Sequence, residues 1–155
     1  MILGVGVDVC EIGRIGRALA GRAGARFRAR TFTPGEGAYC EARRRTSAQS
    51  YAATFAAKEA VLKALGTGWA NGLGWHDVEV VRDDRGAPTL VLHGAALALA
   101  RRHGMRHAHL TLSHGGGLAM AVVVLEGQVT TTQRRGAGAG AATRARRPRS
   151  RPRTR

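Results

Sequence analysis

Four side chains have types and spacings suited to handling a phosphate group. Lys58 and Lys63 are the only lysines in a chain that otherwise takes its positive charge from arginine, with Lys and Arg totalling 25. Both lie in the stretch FAAKEAVLKALGTG (55–68), on either side of Glu59. The plain reading of Glu59 and Lys63 is an i,i+4 helix ion pair, which contributes about 0.3–0.5 kcal/mol and which arginine would serve equally well. Lysine differs as a compact point charge that can approach a phosphate closely or release a proton when desolvated. Asp8 is the first charged residue and follows an apolar run. Its plain reading is an N-cap or first-turn acid for a helix starting near Glu11. An aspartate at a strand end and a glutamate flanked by two lysines also make a magnesium and phosphate site. Mg²⁺ is typically held by one or two carboxylates, waters and substrate phosphates.

The elements that must position these groups follow from local pattern. ILGVGVDV (2–9) is apolar and rich in β-branched residues and reads as a strand ending near Asp8. EIGRIGRALAGR (11–22) sets Ile12, Ile15 and Leu19 at helical spacing, with Arg14, Arg17 and Arg22 away from that stripe. FTPGEGAYCEAR (32–43) carries a threonine N-cap followed by Pro34 and Glu36, a helix start. A long helix is expected over 47–65, stopped by Gly66 and followed by the glycine-rich GTGWANGLG. On a helical wheel Tyr51, Phe55 and Leu62 share one side, Glu59 and Lys63 sit at its margin, and Lys58 falls inside it. A lysine there is costly unless its ammonium is paired or reaches water. Residues 75–94 read as two strands turning at Asp83–Gly86, 95–104 as a short helix, and 107–126 as a hairpin turning at Gly115–Gly117. The order predicts an α+β domain with a mostly antiparallel sheet packed on the long helix.

GVDVCEIGRI (6–15) and FAAKEAVLKALGTG (55–68), at this separation, resemble the two signature motifs of holo-[acyl-carrier-protein] synthase, the small group of 4′-phosphopantetheinyl transferases. The resemblance continues through FTPGEGAYC (32–40), DDRGAPTLVLHG (83–94) and LTLSHGGGLAMAVVV (110–124), and covers 1–126. It implies the 4′-phosphopantetheinyl transferase fold. It also implies transfer of 4′-phosphopantetheine from coenzyme A to a serine of an apo acyl carrier protein, with release of adenosine 3′,5′-bisphosphate. Residue by residue, it makes Asp8 and Glu59 ligands of Mg²⁺, with Glu59, or a water it orients, as base for the carrier serine. Lys63 is then the group that stabilises or protonates the leaving phosphate, and Lys58 a phosphate contact. Gly66 and Gly68 let the backbone approach the nucleotide, and Pro88 and His114 lie along coenzyme A. Arg14, Arg17 and Arg22 face the acidic carrier helix, and the assembly is a homotrimer with sites between subunits. Two positions depart from the family pattern. Thr54 stands where an arginine is frequent, and Ala87 replaces the lysine of a Gly-Lys-Pro turn, so two cations near a polyanionic substrate are lost.

Composition bounds the rest. The chain has 155 residues, enough for one domain, and a formal charge of +15. Residues 127–155 contain nine arginines and no acid, with almost no large apolar side chain, and read as a disordered Arg-rich tail after a domain at 1–126. The body still carries 16 basic against 10 acidic residues, which suits an acidic protein partner. Two cysteines, Cys10 and Cys40, lack metal-type spacing, no run reaches membrane-spanning length, and Asp8 comes too early for a signal core, so a cytoplasmic protein is expected. The competing reading is a basic protein that binds nucleic acid or a carrier without catalysis. Against nucleic acid stand an aromatic content of 5% and the lack of any stacking motif among the basic residues. Against a carrier-binding module stands the retention of Asp8, Glu59 and both lysines.

Overall fold

Strand β1 (Ile2–Glu11) alternates strictly, with Gly4, Gly6, Asp8 and Cys10 on one face and Val5, Val7 and Val9 on the other. The computed structural model describes residues 1–68 and 72–128, and in it the first face meets helix α4 (Ser47–Leu65). The approach is very close. A Cβ at Gly4 would lie 2.0 Å from the carbonyl oxygen of Ala64, and one at Gly6 would lie 1.9 Å from that of Ala60. Only glycine at both positions allows this seating.

β1 pairs antiparallel with β5 (Leu118–Gly127), which pairs antiparallel with β4 (Met105–Gly115), so the last strand in sequence is central in the sheet. β5 turns Ala119, Ala121, Val123 and Leu125 onto the helix, and these small or branched side chains complete the core with the alanines of α4. β2 (Val78–Arg82) and β3 (Pro88–Leu92) form a separate antiparallel hairpin, so the antiparallel strands divide into two sheets. β1 runs past Asp8, because Val9, Cys10 and Glu11 continue the ladder with Met120, Ala119 and Leu118.

α1 (Ile12–Ala20) buries Ile15 and half-buries Ile12 and Leu19, as its spacing predicts. α2 (Gly24–Thr31) was not anticipated from sequence. α3 (Pro34–Ala42) starts with the expected capping box, Thr33 Oγ1 accepting from Glu36 N at 3.2 Å and Glu36 Oε2 accepting from Thr33 N at 2.8 Å. α4 occupies the predicted span and ends at Gly66 in the left-handed region, φ 75°. α5 (Gly94–Arg102) leads into β4. Backbone pairing reaches Gln128, whose N–H bonds to Gly104, two residues past the expected domain end. The tail proper lies outside the described residues.

Candidate active site

The face that carries Gly4 and Gly6 also carries Asp8. A two-residue step along a strand and a four-residue step along a helix cover similar distances, about 6–7 Å. Gly4 meets Ala64 and Gly6 meets Ala60, so Asp8 falls beside the preceding turn of α4. There the Lys63 ammonium reaches Asp8 Oδ1 at 2.9 Å and the Val7 carbonyl oxygen at 2.9 Å. Asp8 is mostly covered while Lys63 is half exposed, so the pair opens to solvent. Glu59, one turn earlier on α4, is half-buried. Cys10, next on this face of β1, is a buried thiol. Its pKa is raised first by burial, then by the charges of Asp8, Glu11 and Glu59, against a lowering by Arg14. Asp8 and Glu59, 51 positions apart in sequence, are both near enough to Cys10 to bear on its charge.

This donor set suits one kind of ion. Among the described residues no cluster of three or more His, Cys, Asp or Glu side chains is placed to hold a metal. Two carboxylates supply hard oxygens but leave most of a coordination shell open, which fits Mg²⁺ completed by water and phosphate and not a softer metal with nitrogen or sulfur ligands.

Lys58 requires a correction. It does not face this opening. It is fully buried, at 0% exposure, on the other side of α4. Its ammonium lies 2.8 Å from Glu36 Oε2 and donates to the Trp75 carbonyl at 2.8 Å and to the Val78 carbonyl. All three N–H donors are used, so none remains for a phosphate. Burial pulls the Lys58 pKa down, and the Glu36 charge opposes that. Glu36 is completed by Thr33 N on Oε2 and by Val80 N, at 2.8 Å, on Oε1. The network ties α3, α4, β2 and the end of the glycine-rich loop together. The cost anticipated for a lysine on the core face is met by this pairing.

Gly66 is also reassigned in part. Its N–H closes the end of α4 on the Lys63 carbonyl at 3.1 Å, and Thr67 N–H bonds to the Leu62 carbonyl at 3.3 Å. Neither amide is free for a nucleotide. Gly68, φ 55°, lies next in the exposed loop.

Pro88 and His114 are brought together, but apart from Asp8 and Glu59. They line a cavity of about 530 Å³ between α3, the first half of α4, the β2–β3 hairpin and β4. The α4 residues on its wall, Gln49, Ser50 and Ala53, precede Glu59 by about 9–15 Å along the helix axis. Ala87 lines the same cavity. Tyr39, Arg43 and Arg82, which sequence reasoning did not single out, complete the charged side of its wall.

Arg14, Arg17 and Arg22 are exposed, at or just beyond α1. Arg14 stacks over the Phe55 ring at 5.8 Å, one turn before Glu59. Arg17 is paired with Glu11 at 3.2 Å. Phe55 rests on Trp75, with ring centroids 5.0 Å apart. Arg14 thus links the basic helix to the flank that carries Glu59.

Comparison with known proteins places this geometry. Residues 4–123 match the 4′-phosphopantetheinyl transferase superfamily. The chain is 55% identical over 129 residues to a holo-[acyl-carrier-protein] synthase of Anaeromyxobacter dehalogenans, covering 82% of this chain and 98% of that one. It is 47% identical over 126 residues to a holo-[acyl-carrier-protein] synthase of Koribacter versatilis, covering 81% and 99%. Among solved structures it superposes on Helicobacter pylori holo-[acyl-carrier-protein] synthase in complex with coenzyme A, with TM-score 0.69, 29% identity, and 79% and 99% of the two chains covered. It also superposes on the Bacillus anthracis holo-(acyl-carrier-protein) synthase in complex with CoA (3′,5′-ADP), with TM-score 0.66, 34% identity, and 83% and 99% covered.

Proposed function

The chain belongs to the 4′-phosphopantetheinyl transferase superfamily and is an enzyme of the holo-[acyl-carrier-protein] synthase type, and from that premise we propose how its own residues carry out the transfer. The reaction moves 4′-phosphopantetheine from coenzyme A to an acyl carrier protein. The new bond joins the carrier serine oxygen to the phosphorus bearing pantetheine. The bond broken is the diphosphate linkage, and adenosine 3′,5′-bisphosphate leaves.

Asp8 and Glu59 hold Mg²⁺, which when bound neutralises charge on the diphosphate. Glu59 takes the proton of the serine hydroxyl, directly or through a water it orients. The Lys63 ammonium, now on Asp8 in an open position, is exchangeable and turns to the leaving phosphate as negative charge grows there. Gly68 lies along the nucleotide, and Pro88 and His114 receive its far end. Arg14, Arg17 and Arg22 dock an acidic carrier, with Arg14 nearest the reacting centre. The observation that supports this reading best is the glycine-permitted seating of β1 on α4, beside which Lys63, one turn after Glu59 on the helix, pairs with Asp8.

The two sets of residues lie apart in one chain, and one feature accounts for that. The sheet face opposite α4 exposes Val5, Val7, Val9, Leu118 and Met120, the last two beside a small cavity at the β4–β5 turn. A contiguous apolar face of this size is an association surface. The chain assembles as a homotrimer through it, and each site is completed across an interface. No helix among the described residues is long and apolar enough to cross a membrane; the enzyme works in the cytoplasm.

The test is mass spectrometry of an apo carrier incubated with coenzyme A, Mg²⁺ and this protein. The expected result is a carrier heavier by one phosphopantetheine, no gain in excess chelator, and a trimer mass in light scattering. An unmodified carrier across a panel of fatty acid, polyketide and peptide synthase carriers would overturn the reading.

A further inference from the structure

A strongly basic corner lies away from the reacting groups, where α5 turns into β4. Arg101 and Arg102 close α5 and Arg106 opens β4, all three exposed, with His103 and His107 beside them in sequence. No acidic residue occurs between Asp84 and Glu126, and Glu126 is engaged by His109 at 3.1 Å. Among the described residues neither Arg101 nor Arg106 is paired with a carboxylate. Cations in the last turn of a helix complement its dipole, which accounts for Arg101 and Arg102 but not for Arg106.

The chain leaves the described fold at this same corner. Gly127 is seated so close that a Cβ there would lie 2.1 Å from the Gly104 carbonyl oxygen. Gln128 N–H bonds to that oxygen at 3.0 Å, and Gly104 N–H bonds to the Arg101 carbonyl at 2.9 Å. The nine arginines of 134–155 are therefore joined to the body beside the three of the corner, and from 147 to 155 an arginine stands at every second position. Every full cation in both groups is arginine, whose fork matches phosphate oxygens in geometry and charge. One cation repeated between small residues fits a ligand that repeats one charge along its length. A bilayer would call for apolar side chains to insert, and among 129–155 Val129 is the only branched or aromatic one. An acidic carrier is already served, in the proposed function, by the arginines of α1. The low aromatic content argues against base stacking, but contact with a phosphate backbone needs none.

We propose that the α5–β4 corner and the arginines that follow Gln128 form a second, non-catalytic surface that binds the phosphodiester backbone of double-stranded nucleic acid without regard to sequence. Ile2, which pairs with Glu126 at this end of the sheet, is six residues from Asp8 along β1, or about 20 Å. Occupation of the corner therefore leaves Asp8 and Lys63 open.

Fluorescence anisotropy with labelled duplex DNA of about 20 base pairs, between about 0.05 and 0.2 M salt, is the test. The full-length protein should bind two duplexes of unrelated sequence alike, with a Kd of about 1–10 µM near 0.15 M salt. The slope of log K against log salt should be about −5 or steeper, at about 0.9 for each phosphate contacted. A chain ending at Gln128 should bind about 100-fold more weakly at the lowest salt. Arg101→Gln/Arg106→Gln in the full-length chain should make the slope shallower by about 2, which 129–155 acting alone would not do. If that variant melts early, Arg106→Gln alone should take about 1 from the slope. Transfer to an apo carrier should stay within about twofold in every variant of matched melting temperature. Binding without salt dependence, no binding, or a slope untouched by the arginine substitutions would overturn the proposal. Tighter binding at the same salt to phosphatidylserine vesicles or to the acidic carrier would also overturn it, and would assign the surface to a membrane or a protein.

Discussion

Two lysine–carboxylate pairs on one helix, α4, have nearly the same geometry and opposite surroundings. Lys58 lies 2.8 Å from Glu36 with both side chains buried, while Lys63 lies 2.9 Å from Asp8 with the lysine half exposed. Distance does not separate them. The number of fixed partners does. Lys58 is held by a carboxylate and two backbone carbonyls, so removing any partner strands a buried polar group. Lys63 has one carboxylate and one carbonyl in an open position, and can exchange them for a phosphate oxygen. On the proposed function, the first pair is scaffold and the second is equipment for the reaction.

The sharpest way to break that contrast is by substitution at both lysines. Lys58→Met leaves Glu36 charged and buried, and should lower unfolding free energy by about 3–5 kcal/mol in urea titrations. Lys58→Met/Glu36→Leu should regain most of it, since an apolar pair of similar volume replaces the ion pair. Lys63→Met should change stability by under about 1 kcal/mol, as an exposed pair does, and lower kcat by about 10²–10³-fold. A Lys58 variant of normal stability, or a Lys63 variant of normal kcat, would erase the distinction.

The seating of β1 on α4 gives a smaller effect that both regions share. Gly6→Ala puts a Cβ against the Ala60 backbone and must push strand and helix apart. It should cost about 1–3 kcal/mol and lower transfer by shifting Asp8 from Glu59 and Lys63, whereas Gly66→Ala, strained at φ 75°, should cost about 1 kcal/mol and leave Asp8 in place.

The least effect is on the acid side of the scaffold. The Thr33 hydroxyl, and after it His93, hold the Glu79 carboxyl below its ordinary value. A carboxylate depressed in the folded state adds stability above its unfolded pKa and loses it as pH falls through the folded value. Thr33→Val should therefore flatten the loss of melting temperature on acidifying below about pH 4.5, and an unaltered pH profile would remove Glu79 from the stability account.

Local signals were legible and distant pairings were not. The Thr33 capping box, the span of α4 and its stop at Gly66 are written within a few residues, and the structure places all three as read. The helical wheel put Lys58 inside the core face, which is where it sits. Its partner, Glu36, is 22 positions upstream on another helix, and only the fold shows that the two meet. The family resemblance had made Lys58 a phosphate contact, and burial overrules it. α2 went unread because GARFRART interleaves arginine with small residues and offers Phe27 as its only large apolar side chain besides its flanks. Pro88 and His114 were assigned along coenzyme A without a distance to the reacting groups, because a motif gives membership of a site and not the distances within it.

The central claim is that Asp8 and Glu59 act together on one reacting diphosphate. Single-turnover transfer to an apo carrier, at saturating coenzyme A and Mg²⁺, tests it in Asp8→Asn, Glu59→Gln and the double variant. Each single substitution should slow transfer by about 10²–10⁴-fold with the melting temperature unchanged, and the double variant should be little slower than either, because the two serve one event. Wild-type rates in both single variants, or two losses that simply multiply, would contradict a shared centre.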